Sequence, residues 1–283
     1  MDNVSSHVHV FVHVPKTGGK SFESVMLANY SVDKVMPIYR TGGQHLNAVF
    51  EQYDEAFLDD VKLIYGHIPI TIHNHINSKC IYFTILRDPV DRLLSFYRYV
   101  KYDFKEHPMH EKIKSGEKNF KNVIAKNHPE TNLMTKLLSG FDVRDRAEDY
   151  MLDIAKNNLS LMPAFGLLEE YDASVLYIAK QLGWIWPFYS RVNESTVTKQ
   201  KFIKDEKIAM TDIDLLAEVN YLDTQLYNYA KEIYAERLTV LGKKFDVALK
   251  NYSDVLNQLP NQLSVNDLMN KIKSVVTYLK EGA

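Results

Sequence analysis

Hydrophobic and polar residues alternate over positions 7–14, which read HVHVFVHV with valine at every even position. A period of two is typical of a β-strand. Pro15 ends the alternation, Gly18 and Gly19 supply a turn, and residues 21–28 have the composition of a helix start. Parallel α/β sheets bind ligands at strand-to-helix junctions of this kind. The beginning of the chain therefore predicts a ligand site.

Further apolar patterns predict the other elements. The predicted strands are residues 34–39, 61–65, 80–86 and 163–168. The predicted helices are residues 45–53, 89–102, 120–126, 130–138, 146–159, 215–238 and 265–279. A further helix follows the strand at 163–168 and runs through Leu182, where Gly183 ends it. Strands that alternate with helices favour an α/β fold of three layers with a central, mainly parallel sheet. We expect one domain over residues 1–240, with a helical extension, residues 241–283, packed on it, and a mobile polar segment at 102–118.

Composition narrows the classes of partner. The 283 residues carry a formal net charge of -2, which gives no overall field to attract nucleic acid or an anionic membrane. Anion binding must therefore come from a local cluster of cations. Cys80 is the single cysteine, and no apolar run is long enough for a transmembrane helix. These features predict a soluble, cytoplasmic protein without a nucleic-acid or membrane partner.

The turn after the first strand has the chemistry of a phosphate site. It reads HVPKTGGKS, and its ending resembles the ATP-binding pattern G-x-x-x-x-G-K-[ST], but Val14 stands where that pattern requires glycine. Backbone N–H groups at a helix start, together with Lys16 and Lys20, favour a multiply anionic ligand. For ATP chemistry, Asp88 would have to bind Mg²⁺. However, Asp88 precedes Pro89, as a helix N-cap does.

Two motifs together resemble a known family. PKTGGKS, followed about seventy residues later by ILRDPVDRLLSFYRY, is similar to the sulfotransferases that use 3′-phosphoadenosine 5′-phosphosulfate, including glycan 2-O-sulfotransferases and bacterial relatives. The resemblance implies a P-loop-NTPase-like sulfotransferase fold. It also implies that the 3′-phosphate binds Arg87 and Ser95. The 5′-phosphosulfate would bind the loop residues, which are Pro15, Lys16, Thr17, Gly18, Gly19, Lys20 and Ser21.

Weaker similarities extend over residues 7–240. Tyr65-Gly66-His67 resembles a family element whose histidine is the general base, and further similarities cover residues 131–140, 166–169 and 220–238. They imply that His67 removes the acceptor proton. Sulfuryl transfer also builds charge on the leaving phosphate of adenosine 3′,5′-bisphosphate, which Lys16 and backbone N–H groups can neutralise without a metal. The acceptor would be a hydroxyl, with a saccharide favoured over a small molecule. Lys20 departs from the family, which usually has threonine there.

The remaining histidines leave alternatives open. His7, His9 and His13 share one strand face and could chelate a metal. His73 and His75 could line the acceptor side, whereas His107, His110 and His128 are expected to be solvated. His67 itself could be a structural turn residue. At the level of function, an ATP-dependent kinase and a non-catalytic nucleotide-binding or glycan-binding module are the alternatives. The oligomeric state is not predicted.

Overall fold

The computed structural model describes residues 7–39, 45–117, 128–189, 202–204, 206, 208–258 and 265–281. Within these residues five strands form one parallel sheet in the order β2-β3-β1-β4-β5. The strands are β1 (His7–Val12), β2 (Val35–Ile38), β3 (Leu63–Gly66), β4 (Lys79–Leu86) and β5 (Gly166–Leu167). All five therefore present their carboxyl ends at the same edge of the sheet.

The strand register aligns these carboxyl ends. Val12, the last residue of the central strand β1, lies opposite Gly66 of β3 on one side and Thr84 of β4 on the other. The segments that follow β1 and β3 consequently begin side by side, and β4 extends two residues further. This alignment brings together stretches of sequence that lie up to 74 residues apart, the separation between Val12 and Leu86.

Helices cover both faces of the sheet. They are α1 (Gly19–Leu27), α2 (Leu46–Phe50), α3 (Glu55–Asp60), α4 (Pro89–Tyr102), α5 (His110–Lys114), α6 (Leu133–Leu138), α7 (Tyr150–Leu161), α8 (Tyr171–Gln181), α9 (Met210–Val219), α10 (Tyr221–Gln258) and α11 (Val265–Lys280). On one face, Phe11 and Phe83 pack against Phe22 of α1. On the other, Val10 and Ile64 join a separate apolar cluster with α2 and α3. The predicted three-layer α/β architecture is confirmed.

The C-terminal helices share the larger of these cores. Phe245 and Tyr252 of α10 and Val275 of α11 are buried in the same cluster as the first strand and α1. Tyr252 also donates a hydrogen bond to the carbonyl oxygen of Pro187 at 2.8 Å. Helix α10 runs past residue 240 and kinks at Gly242, where φ is 62°. A boundary at residue 240 stays a prediction. No helix within the described ranges has both the length and the apolarity to span a membrane.

A buried polar network explains two of the weaker motifs. The Asn132 backbone N–H donates to the Asn220 side chain at 2.9 Å. The Asp223 carboxylate accepts from the Met134 N–H at 3.1 Å and from the Thr135 N–H at 2.7 Å. Asp223 therefore satisfies N–H groups in the first turn of α6, which have no partner inside the helix. These polar residues join α6 to the start of α10.

The structure corrects several sequence-based boundaries. The predicted helix at 215–238 is two helices, because α9 ends at Val219 and α10 begins at Tyr221. Residues 55–60, which were not predicted to be helical, form α3 with Asp54 as its N-cap. The segment 102–118, predicted to be mobile, contains α5 and buries Ile113 against α4. The helix predicted at 120–126 lies outside the described residues.

Candidate functional site

The loop between β1 and α1 is held by its own side chains. Thr17 is fully buried, and its hydroxyl donates to the carbonyl oxygen of Val14 at 2.8 Å. Val14 is itself buried in the main core, so its side chain anchors the loop at the position where an ATP-binding loop has glycine. This packing disfavours the ATP-binding interpretation.

Gly18 forms the junction between the loop and the helix. Its φ of 84° lies in the left-handed region, which favours glycine. A β-carbon there would lie 2.8 Å from the Leu168 side chain, and the Tyr171 hydroxyl donates to the Gly18 carbonyl oxygen at 3.2 Å. The segment after β5 therefore packs directly on the start of α1. Ser21, in the first turn of this helix, is largely buried, whereas Lys20 is exposed.

Lys16 lies in a cluster of cations. Its Nζ atom lies over the Tyr99 ring, 3.9 Å from the ring centroid. Burial lowers the pKa of Lys16 to about 8. Asp103 opposes that shift, while the cations of Arg87, Lys20 and Arg98 add to it. Four positive side chains near one loop give the local field that the net charge of the chain does not provide.

Arg87 connects the second motif to this loop. Its Nη1 atom donates to the carbonyl oxygen of Lys16 at 3.0 Å. Burial lowers the pKa of the guanidinium, and the carboxylates of Asp91 and Glu169 oppose that effect. The strand-to-helix junctions after β1 and β4 are thus joined by one hydrogen bond.

The residue after Arg87 is a helix cap, as the sequence predicted. Asp88 accepts a hydrogen bond from the Asp91 N–H at 3.0 Å and precedes Pro89 in the first turn of α4. The Asp88 N–H donates to Glu169 at 2.9 Å, and the other Glu169 oxygen accepts from the Tyr227 hydroxyl at 2.6 Å. Glu169 therefore links the start of α4 to α10, and Asp88 is occupied as a cap.

Ser95 lies on α4 two turns beyond Arg87 and is half-buried. Residues four apart share a helix face, so Ser95 lies next to Tyr99, whose ring contacts Lys16. Lys16 and Arg87 consequently border one region, and Ser95 lies on the helix face that carries Tyr99. Pro15 begins the bend of this loop and is half-buried.

His67 lies beside the loop at the same edge of the sheet. It follows β3 directly, and its ring centroid is 4.9 Å from that of His13 and 5.1 Å from that of Tyr39. His13, Tyr39 and His67 come from the ends of β1, β2 and β3. A half-buried imidazole thus lies next to the cationic loop, where an acceptor proton could be removed.

The other histidines have different environments. His9 hydrogen-bonds Tyr30, His73 hydrogen-bonds Tyr82 at 2.9 Å, and His75 stacks on Phe50. Tyr82 pairs with Val10, two positions before the end of β1, so His73 is associated with the middle of the sheet. Within the described part of the chain, no group of three or more His, Cys, Asp or Glu side chains could hold a metal ion.

The prediction that the histidines at 107, 110 and 128 are solvated was wrong. His110 is buried, and its Nδ1 atom hydrogen-bonds the Val100 carbonyl oxygen at 2.8 Å because α5 folds back on α4. His107 and His128 are half-buried against the Phe96 ring. These three rings belong to the packing around α4.

Sequence reasoning missed four contributors to the site: Tyr39, Arg98, Tyr99 and the carboxylate role of Glu169. Arg98 and Tyr99 follow Ser95 by three and four residues, and this helical spacing could have indicated a shared face. The sequence placed Glu169 in one of the weaker similarities, and no role was predicted for its carboxylate. Its contact with Asp88 joins residues 81 positions apart, and no local pattern predicts such a contact.

Comparison with known proteins adds an independent observation. A model of the Sulfotransferase family matches residues 4–230. Heparan-sulfate 6-O-sulfotransferase 2 of Gallus gallus is 22% identical over 285 residues, covering 83% of this chain and 68% of the chicken protein. The Homo sapiens protein of the same name is 24% identical over 287 residues, covering 83% of this chain and 46% of the human protein.

Proposed function

Because the chain belongs to the Sulfotransferase family, we propose that it transfers a sulfuryl group from 3′-phosphoadenosine 5′-phosphosulfate to a hydroxyl group of a saccharide. The observation that carries this proposal is the hydrogen bond between Arg87 and the Lys16 carbonyl oxygen. It joins the two cation-bearing junctions, and this supports a donor that is anionic at both its 5′ and 3′ positions.

The donor is assigned to both junctions. Loop residues 16–21 supply backbone N–H groups at the start of α1, Pro15 borders them, and Lys16 and Lys20 supply positive charge for the 5′-phosphosulfate. Arg87 and Ser95 would bind the 3′-phosphate through charge-assisted and hydroxyl hydrogen bonds. Adenosine 3′,5′-bisphosphate is then the product that leaves this site.

The transfer step follows from this arrangement. Neutral His67 accepts the acceptor hydroxyl proton, the hydroxyl oxygen forms a bond to sulfur, and the bond between sulfur and the phosphate oxygen breaks. Negative charge develops on that phosphate oxygen, where the Lys16 ammonium can stabilise it. Cations of the chain itself thus supply the charge stabilisation in this mechanism.

A saccharide acceptor is proposed from the relatives. Both similar proteins are named as heparan-sulfate 6-O-sulfotransferases, whereas the sequence motifs had suggested the branch that includes 2-O-sulfotransferases. The shared element of these two assignments is a sugar hydroxyl. We therefore propose a saccharide as the acceptor class.

Sulfuryl transfer can be tested directly with donor labelled with ³⁵S and a panel of glycans, small alcohols and phenols. We expect labelled product with a saccharide, and we expect adenosine 3′,5′-bisphosphate to raise the melting temperature in the presence of a chelator. If ATP with Mg²⁺ stabilises the protein instead and the donor transfers no label, the proposal is wrong and a kinase is favoured.

Replacing Arg87 with alanine should weaken the binding of adenosine 3′,5′-bisphosphate by about 2 kcal/mol, or roughly thirtyfold, because a charge-assisted contact to the 3′-phosphate is lost. Titration calorimetry measures this effect. Binding of adenosine 5′-phosphosulfate, which lacks the 3′-phosphate, should be nearly insensitive to the change. Arg146→Ala, at an exposed arginine, is the matched control. Equal losses for both ligands would contradict the assignment.

Donor affinity should fall as the pH rises through about 8, the pKa of Lys16 in the free protein. A bound anion favours protonated Lys16, so binding above this pH requires proton uptake, and affinity should decline by at most about tenfold per pH unit. Calorimetry in buffers of different ionisation enthalpy measures that uptake. Lys16→Arg, which stays charged, should show no such decline. The same pH dependence in both proteins would assign it to another group.

A further inference from the structure

We propose that His13 is a positioning residue that fixes the orientation and polar surroundings of His67. The inference rests on the proposed function, in which His67 acts as the base. His13 does not itself take the proton in this assignment, and its effect on transfer passes through its neighbour.

The backbone places the two histidines side by side. The His13 N–H donates to the Gly66 carbonyl oxygen at 2.9 Å, which extends the pairing between β1 and β3 by one residue. The two imidazole rings consequently meet with centroids 4.9 Å apart and planes inclined by 52°. On its other side, the His13 ring stacks on Phe11 at 5.5 Å with planes 16° apart. The ring is therefore held between a core aromatic side chain and His67.

The start of α1 also packs against the His13 ring. A β-carbon at Gly19 would lie 1.9 Å from Nε2 of His13, so the imidazole occupies the space that any side chain at position 19 would need. Gly19 is the first residue of α1, and the ring therefore packs against the start of the helix. The same contact explains why glycine is required at this position of the loop.

Tyr39 contacts both histidines. Its hydroxyl lies 3.4 Å from Nδ1 of His13, and its ring meets the His67 ring edge-on with centroids 5.1 Å apart. Tyr39 also packs against Tyr65, whose hydroxyl donates to Glu23 of α1 at 2.6 Å. The rings of Tyr39 and His13 therefore both pack against the His67 ring.

The surroundings of His13 keep its imidazole uncharged, so it does not compete with His67 for the acceptor proton. Burial lowers the pKa of His13 to about 3, and the neighbouring His67 and Lys16 act in the same direction. His13 is therefore neutral at physiological pH, so it adds no positive charge next to His67. A neutral ring near both Lys16 and His67 lets His67 accept a proton without a further charge opposing it.

The test compares three variants. His13→Phe keeps a ring on Phe11 and removes both nitrogens, His13→Asn keeps a polar group near Tyr39, and Tyr39→Phe removes only a hydroxyl. The pKa of the His67 imidazole is followed by NMR in the absence of donor. We expect His13→Phe to lower it by roughly half a unit or more, because a less polar neighbour disfavours the imidazolium. His13→Asn should restore it, and Tyr39→Phe should shift it less.

Kinetics supply the second readout. We expect His13→Phe to lower kcat by about tenfold and to shift the acidic limb of its pH profile with the NMR pKa, while the dissociation constant for adenosine 3′,5′-bisphosphate stays within about threefold. An unchanged His67 pKa, or a loss of donor affinity parallel to kcat, overturns the inference. If the wild-type protein transfers no sulfuryl group, the proposed function fails, and the NMR result still decides whether His13 controls His67. Should His13→Phe not fold, Tyr39→Phe decides in its place.

Discussion

His67→Ala should lose about 10²–10⁴ in kcat, because general base catalysis contributes that much to rate. Donor affinity should stay close to that of the wild-type protein, since His67 lies beside His13 and Tyr39 rather than within the group formed by Lys16 and Arg87. Label transfer at saturating donor and acceptor measures the loss. Calorimetry with adenosine 3′,5′-bisphosphate measures the retained affinity.

The matched control for this change is His75→Ala, a second histidine in the segment after β3. His75 stacks on Phe50 with ring centroids 4.6 Å apart, so its loss should affect stability rather than turnover. If His67→Ala keeps most of its kcat, the base lies elsewhere. If the variant loses donor affinity and kcat together, His67 is a structural residue.

Lys16→Ala should lower kcat by about 10²–10³ even at saturating donor, the range found when one preorganised charge-stabilising contact is removed. An interaction that strengthens in the transition state raises kcat, whereas one of equal strength in both states changes only KM. Charge grows on the leaving phosphate oxygen during transfer. Single-turnover kinetics with saturating labelled donor measure this effect.

Lys20→Thr provides the control, because it changes another lysine of the same loop. Lys20 is exposed, whereas Lys16 is half-buried. The Lys16 carbonyl oxygen accepts a hydrogen bond from Arg87, and its ammonium lies over the Tyr99 ring. We expect Lys20→Thr to reduce donor affinity slightly and to leave kcat within about threefold, as exposed charges interact weakly through water. A change confined to KM in Lys16→Ala would make Lys16 a binding residue only.

Features that depend on neighbours in sequence could be predicted. The alternation in residues 7–14 predicted β1, and the sequence around Asp88 predicted a helix cap that the structure confirms at 3.0 Å from the Asp91 N–H. These signals lie within a few residues of one another, because strand period and helix capping are local properties. The two motifs that resemble the family's donor site were found for the same reason.

Features that depend on packing between distant segments could not be predicted. His110 lies among polar residues, yet the structure buries it because α5 folds back on α4. Gly19 looked like a turn residue, and its actual constraint is the His13 ring next to it in space. The catalytic and binding roles of the predicted residues remain predictions, since they concern bound molecules rather than the fold.

The polar network between α6 and α10 sets an order for folding during synthesis. The bonds from Asn132 to Asn220 and from Thr135 to Asp223 each span 88 residues. The residues assigned to the donor, positions 15–95, leave the ribosome long before Asn220 and Asp223 do. Until those two side chains emerge, the first amides of α6 lack their native partners and must bond to water, even though the complete loop between β1 and α1 has already been synthesised. Native capping of α6 must therefore wait for the synthesis of residues 220–223.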